Sequence, residues 1–367
     1  LEIISKERIK DEFNKILLSD NASMGIRTLC DIGAMKYIIP EVDEMIGMEQ
    51  NAYHFGDVFE HTMALLDYDT KYFQTEDAAV RLALLLHDIG KIKTKSVGND
   101  GRVHFYEHEF VGGDMITDIL KRLKYDNKTI ETVKFLVKNH MRTKNFGNDC
   151  VKIKPKSFNK LAYTCKNEYL YKSLARVIEC DNNSHKAEHN ITGHYDYLIG
   201  RIDDAKKMFN YKLPVNGNDV MDVLNISGGL LVKKVLDALL NRAFPNPDTL
   251  TRESCLKQIP KIYTEILKKE NISTEITSLK NALIINTKGA VYELDAYKKG
   301  LFYVEDVSSQ LCFKELDLKD NFKFVHENIR KTMKESFKEI NEAYDSIMEA
   351  RRMGKDSASG GYSSYKP

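Results

Sequence analysis

The chain has 367 residues, of which 42% are hydrophobic and 30% charged, and its formal net charge is +1. This length allows two or three domains with a sizeable core, and the near-neutral balance argues against a partner held by bulk charge. No apolar run reaches the about 20 residues that cross a bilayer. The six cysteines lack CxxC spacing, which argues against a disulfide framework or a cysteine zinc site and for a reducing, cytoplasmic compartment.

Residues 4–18 carry a helical stripe of Ile9, Phe13, Ile16 and Leu17, with Ser5 as candidate N-cap. A second helix is predicted over 24–35, ended near Gly33, before a connection at Pro40. Residues 56–73 place Val58, His61, Leu65 and Leu66 at helical spacing. Residues 77–90 form an apolar helix that runs into Leu82-Ala-Leu-Leu-Leu-His-Asp-Ile-Gly-Lys91. The polar stretch 92–105 reads as a loop or short hairpin, and helices follow over 106–124, 127–142 and 167–184. From 195 to 266 further helices are broken at 214–217, 227–229 and 245–247. Short β-like runs then appear at 282–286, 290–295, 301–304 and 311–313, as in a small antiparallel meander. Residues 320–352 carry Ile329, Met333, Phe337, Ile340, Tyr344 and Ile347 in steps of four and three, a coiled-coil-like stripe. The expected fold is mainly α. A helical neck-like segment (1–48), a metal-binding helical bundle (49–194) and a helical body (195–268) precede a β-meander (269–316), a long amphipathic helix (317–353) and a disordered tail (354–367).

A His beside an Asp at the end of a buried helix is costly to desolvate unless something binds there. A metal ion offsets that cost. Nine of the ten histidines lie between His54 and His194, and imidazole is a transition-metal ligand. His61, His87, Asp88, His108, His140 and Asp181 therefore read as one metal centre. Neighbouring residues of a helix point about 100° apart, so His87 and Asp88 can serve two ions with the carboxylate between them. Four imidazoles and two carboxylates suit one or two divalent ions of Mn, Fe, Co, Ni or Zn better than an all-oxygen Mg or Ca cage, with Mg the alternative.

Two such ions would supply a hydroxide and clamp a phosphoryl oxygen. Asp88 and Lys91 are the candidate catalytic residues. Lys91 meets phosphate charge or, more simply, the helix dipole. His54 lies two turns before His61 if the helix reaches back that far. His185 and His189 follow Asp181 at four-residue spacing on an expected common helix face; a solvated polar face is the plainer reading. His104 reads as structural. The segment 121–172 holds fourteen Lys or Arg against four acids, net +10, with Tyr125, Phe146, Phe158, Tyr163 and Tyr169 interleaved. Lys138 and Arg142 flank His140 there. Basic charge with aromatics suits a nucleotide or RNA, tRNA-like partner, against the alternative of a solvated lysine-rich surface. Ser227-Gly-Gly229, with Lys233 and Lys234 after it, reads as a phosphate contact or a simple helix start.

The order His61, His87-Asp88, His108, His140, Asp181 resembles the HD-domain metal-dependent phosphohydrolase superfamily. That resemblance implies an α-helical bundle, one ion on His61, His87, Asp88 and Asp181, and a second on Asp88, His108 and His140. Residues 4–18, Gly25-Ile-Arg-Thr-Leu29 and Ile39-Pro-Glu-Val42 resemble the neck of bacterial-type CCA-adding enzymes (tRNA nucleotidyltransferases). Residues 50–62 and His104-Phe-Tyr-Glu-His-Glu109 resemble the HD domain that some of them carry. Residues 213–221 and Asn225-Ile-Ser-Gly-Gly229 resemble their body. The Gly-Ser and paired Asp of their nucleotidyltransferase head, and their Glu-Asp-x-x-Arg element, have no match here, so this polypeptide is expected not to add CCA by itself. The expected function is hydrolysis of a phosphoester of a nucleotide or RNA end. The resemblance implies 2′,3′-cyclic phosphodiesterase, 2′-nucleotidase and phosphatase activity. A tRNA-binding portion whose catalytic head is missing or on another chain is the alternative. A third expectation is assembly, as a homo-oligomer or with a partner, through the 320–352 helix.

Overall fold

The computed structural model describes residues 4–286 apart from 51–55, 75, 100, 147–152, 186–188, 225, 227, 270–272 and 277–282. The β-like runs beyond 286, the 320–352 helix with its assembly role, and the 354–367 tail lie outside the described residues, as does His54. The chain divides into two compact units, Leu1–Ile266 and Leu267–Pro367.

The first unit is helical. In chain order it contains α1 (Lys6–Leu17), α2 (Ala22–Asp31), α3 (Met35–Ile38), α4 (Pro40–Asp43), α5 (Val58–Tyr72), α6 (Ala78–Leu86) and α7 (Lys91–Thr94). A hairpin of β1 (Lys95–Val97) and β2 (Val103–Phe105) leads to α8 (His108–Arg122), α9 (Asn127–Asn139) and a 3-10 segment, His140–Phe146. Then come α10 (Pro155–Cys165), α11 (Glu168–Asn182), α12 (His194–Gly200), α13 (Ile202–Phe209), α14 (Gly217–Leu224), α15 (Leu230–Ala243) and α16 (Arg252–Lys269), whose last turn passes the unit boundary at Ile266. In the second unit β3 (Ser273–Ile276) pairs antiparallel with β4 (Leu283–Asn286), Ser273 opposite Asn286. The β4 run was legible. Its partner lies upstream, in a Ser-Thr-Glu-Ile run too polar to stand out.

The core is built around α6. Its sequence is apolar on every side except for Arg81, and Ala79–Leu86 are all buried. A helix with no polar face belongs at the centre of a bundle. It packs against α5, α9 and α11, and α1 closes over its first half. Side-chain caps fix where these helices start. Asp57, Asp77, Asp126 and Asn167 each accept a backbone N–H in the first turn of α5, α6, α9 and α11. Ser5 does the same for α1, as its sequence predicts. Arg81 is 1% exposed. Its Nε lies 2.6 Å from Asp69 Oδ2, and Arg176 Nε of α11 donates to Asp69 Oδ1 at 2.5 Å. Arg81 Nη1 also donates to the Leu17 carbonyl at 3.3 Å, tying α1 to the bundle.

Three helix ends differ from the sequence pattern, and each shapes the site. The central helix stops at Leu86 rather than 90, and His87–Gly90 form a turn. Gly90 is required there, because a Cβ would lie 2.0 Å from the His108 carbonyl oxygen and 2.6 Å from the Gly112 nitrogen. This approach sets the turn directly against the start of α8. The 127–142 helix ends at Asn139, and His140 opens a tighter 3-10 segment. The 167–184 helix ends at Asn182, where Asn183 folds back onto the Glu179 carbonyl. His185 and His189 therefore leave the helix, and the common face expected for Asp181, His185 and His189 does not form.

Candidate metal centre

Four helices and the turn after α6 deliver the six residues to one buried place. His61 comes from α5, His87 and Asp88 from the turn, His108 from the first residue of α8, His140 from the end of α9 and Asp181 from the last turn of α11. All six are buried, none more than 6% exposed. They form two groups, His61–His87–Asp181 and Asp88–His108–His140. Within each, one donor atom per residue lies within 4.8 Å of the others.

Asp88 faces both groups. Its Oδ2 lies 3.1 Å from His87 Nε2 and 3.9 Å from His61 Nε2. Its Oδ1 lies 3.2 Å from His108 Nε2 and 3.9 Å from His140 Nε2. Asp181 Oδ1 is 3.2 Å from His61 Nε2 and completes the first group.

The backbone sets the tautomers. His87 Nδ1 donates to the Leu84 carbonyl at 2.9 Å, His108 Nδ1 to Phe105 at 2.9 Å, His140 Nδ1 to Val137 at 2.7 Å and His61 Nδ1 to Ser184 at 3.0 Å. A carbonyl only accepts, so each Nδ1 carries the proton and each Nε2 lone pair faces the centre. His108 and His140 then oppose two lone pairs at 3.4 Å. His87 Nε2 is buried with no hydrogen-bond partner among the described residues. Four inward lone pairs beside two carboxylates fit a cation, and the donor set fits a transition metal.

The electrostatics agree. Burial penalises the charge on Asp88, but His87 and Lys91 outweigh it and hold the carboxyl well below its usual range. Asp181 is likewise held low, with Lys144 the largest of the groups that oppose its burial. Burial pushes His61 down and His140 down to about 3, so both rings are neutral ligands near pH 7. His87 is raised: burial opposes its charge, but Asp88 and Asp181 favour a proton where a cation would sit.

A cavity of about 190 Å³ opens onto the centre. Lys91 Nζ stands on its wall, 2.6 Å from Asp88 Oδ2 and 2.6 Å from Gln50 Oε1. Lys144 Nζ is 2.9 Å from Asp181 Oδ2 and also lines the cavity. Sequence reasoning passed over Lys144 as a site residue, since it was one of fourteen basic residues and its partner lies 37 positions away. It also passed over His194, which is buried with Nδ1 2.9 Å from Asn182 Nδ2 and 3.3 Å from Thr143 Oγ1. That contact braces the residues next to Asp181 and Lys144.

The remaining sequence-predicted residues divide, and only His185 stays beside the centre among the described ones. The His185 ring lies 5.3 Å from that of His61, and burial pushes it down to about 4. His189 does not line the cavity. Lys138 is paired with Asp114 at 2.6 Å, and Arg142 donates to Asn139 Oδ1 at 2.9 Å. The basic and aromatic segment is not one platform. Tyr125 and Phe158 are core residues, 9% and 0% exposed, and the Tyr169 hydroxyl donates to Asp77. Arg122 and Lys172 are paired with Glu41 and Glu168.

Comparison with known proteins finds two matched segments. Residues 51–178 match the HD domain, and residues 1–46 match the probable RNA and SrmB-binding site of polymerase A. An A-adding tRNA nucleotidyltransferase of Deinococcus radiodurans is 38% identical over 136 residues, 37% of this chain and 31% of that protein. A CC-adding tRNA nucleotidyltransferase of Thermus thermophilus is 26% identical over 238 residues, 64% of this chain and 52% of that protein. A multifunctional CCA protein of Mannheimia succiniciproducens is 26% identical over 231 residues, 60% of this chain and 52% of that protein. The chain thus spans between about a third and about half the length of the relatives it matches. It matches an HD domain over residues 51–178, and it resembles CCA-adding tRNA nucleotidyltransferases across the neck, HD and body segments. No described helix is long and apolar enough to cross a membrane.

Proposed function

We propose that this chain hydrolyses a phosphoester of a nucleotide or RNA end at a binuclear divalent-metal centre. His61, His87, Asp88 and Asp181 would hold one ion, and Asp88, His108 and His140 the second. The observation that carries this reading is the placement of Asp88, one oxygen facing each group of histidines. When bound, the ions supply a metal-activated water and Lewis-acid stabilisation of the phosphoryl oxygens. The chain's own residues do the rest. The backbone carbonyls hold the four rings in the ligating tautomer. Lys91 and Lys144 sit on the two carboxylates and line the cavity; with cations on those carboxylates, both ammonium groups would be available to bind a substrate phosphate. His185, beside His61, is a candidate substrate contact, whereas Lys138 and Arg142 are held by other partners. A cytoplasmic location fits a nucleotide or RNA substrate.

A second reading has its own support. The match of residues 1–46 to an RNA-binding segment and the tRNA nucleotidyltransferase relatives favour a tRNA-binding portion that serves a catalytic head elsewhere. The two readings separate in one experiment. Protein purified without chelator is assayed for hydrolysis of 2′,3′-cyclic AMP and bis-p-nitrophenyl phosphate, with and without added Mn, Co or Ni, beside a His87→Ala, Asp88→Ala variant. Turnover lost in the variant supports the hydrolase. No turnover under any metal, with tRNA affinity that weakens as salt rises, supports the second reading.

A further inference from the structure

The proposed hydrolase accounts for the metal centre and the two lysines, but not for the aromatic edge beside them. The β1–β2 hairpin forms one wall of the cavity through Val103, His104 and Phe105. His104 is in β2, and Tyr106 is in the turn that follows the strand. Their rings are stacked, with centroids 5.1 Å apart and planes 11° apart. His104 lines the cavity, while Tyr106 is 70% exposed. The stack therefore runs from the cavity wall out to solvent. Phe105 points to the other side and carries Lys91 Nζ 5.3 Å from its ring centroid. Phe110, one turn into α8, is 49% exposed. A single exposed aromatic needs no explanation. A parallel pair extending the rim of a phosphate-directed cavity has the form of a stacking platform.

We propose that His104 and Tyr106 form a nucleobase-stacking subsite that selects nucleotides, purines above pyrimidines, over substrates without a base. This rests on the hydrolase reading for the position of the phosphate, between Lys91 and Lys144. A nucleotide held there by its phosphate projects its base outward, and the hairpin is the wall that offers a flat aromatic face. Stacking is tolerant of base identity and grows with ring size, because every base has a π-face. Phe105, meanwhile, holds Lys91 towards Asp88 and so ties the platform to the phosphate end of the cavity.

The test uses binding as well as turnover. Titration with 2-aminopurine riboside 3′-monophosphate reads stacking by fluorescence quenching. In parallel, KM is compared for 2′,3′-cyclic AMP, 2′,3′-cyclic CMP and methyl ribofuranoside 2′,3′-cyclic phosphate, which has no base. The wild type is expected to quench the probe and to rank KM in that order, lowest first. Tyr106→Ala is expected to weaken probe binding about tenfold and to collapse the KM ranking, and Tyr106→Phe to restore both. Because Tyr106 is exposed, its loss leaves the core intact. No quenching by the wild type, or unchanged affinity in Tyr106→Ala, overturns the subsite. Quenching that depends on Tyr106 in a protein that hydrolyses none of the three esters overturns the hydrolase and sustains the subsite.

Discussion

Two clusters of buried charge lie within the same bundle and share three of its segments, yet they are built to opposite ends. In one, Asp69 of α5 meets Arg81 of α6 and Arg176 of α11. Here an acid faces two guanidinium groups, and positive partners already surround it. In the other, His61 of α5, His87 and Asp88 after α6 and Asp181 of α11 are joined by His108 and His140. There four Nε2 lone pairs and two carboxylates face inward, and the lysines touch only the cavity side. The first cluster is charge-paired as folded, and the second has room for cations. Burial alone does not mark a functional site. What marks it is whether the buried groups answer one another.

Variants at the two clusters should therefore fail in different ways. The largest effect is expected from His87→Ala, Asp88→Ala, which removes a ligand of the first group and the carboxylate that faces both. Hydrolysis should fall to background, and added metal should no longer raise the melting temperature. Wild-type protein with free metal at about a thousand times its Kd should gain about 4 kcal/mol per occupied site. Asp69→Ala should do the reverse. It leaves the buried Arg81 and the part-buried Arg176 without their acid, a loss of about 3–5 kcal/mol in chemical denaturation, while folded protein keeps its metal stoichiometry. If Asp69→Ala instead lost metal at full folding, the division between the clusters would not hold.

Smaller changes sharpen the contrast inside the centre. Gly90→Ala forces a Cβ into the α8 backbone, so about 1–3 kcal/mol of stability should be lost, and occupancy at the Asp88–His108–His140 group should fall first. His108→Ala should release one of two ions and keep the other, as read by elemental analysis. Lys144→Ala should raise KM for a phosphoester about tenfold, or about 1.4 kcal/mol, with metal content unchanged. Metal affinity should weaken on acidification. His87 has a raised pKa, so a proton competes for its Nε2 as pH falls through that value, whereas His140, at about 3, stays available.

Much of this was legible in the order of residues. The Leu82–Lys91 run exposes the central helix and its unusual end, and the 3.6-residue stripes place His61, His108, His140 and Asp181 on helices or at their ends. Binary pattern carries that kind of information well. It does not carry the last turn of a helix. The exits at Leu86, Asn139 and Asn182 depend on contacts such as the fold of Asn183 onto Glu179, and those exits moved His185 and His189 away from the expected face. Nor does pattern pair distant charges. Asp69 with Arg176, and Lys144 with Asp181, are separated by 107 and 37 positions, and each looks like an ordinary helical or surface residue until the bundle closes. The basic segment shows the same limit of pattern. Tyr125 and Phe158 sit among lysines in the sequence, but the connection between α8 and α9 and the face of α10 turn them into the core.

The most direct measurement is metal content by elemental mass spectrometry on protein prepared without chelator or affinity metal. A centre divided by Asp88 predicts near two transition-metal ions per wild-type chain, and none in His87→Ala, Asp88→Ala. Wild-type protein that binds no Mn, Fe, Co, Ni or Zn, and whose melting temperature none of them raises, would contradict it.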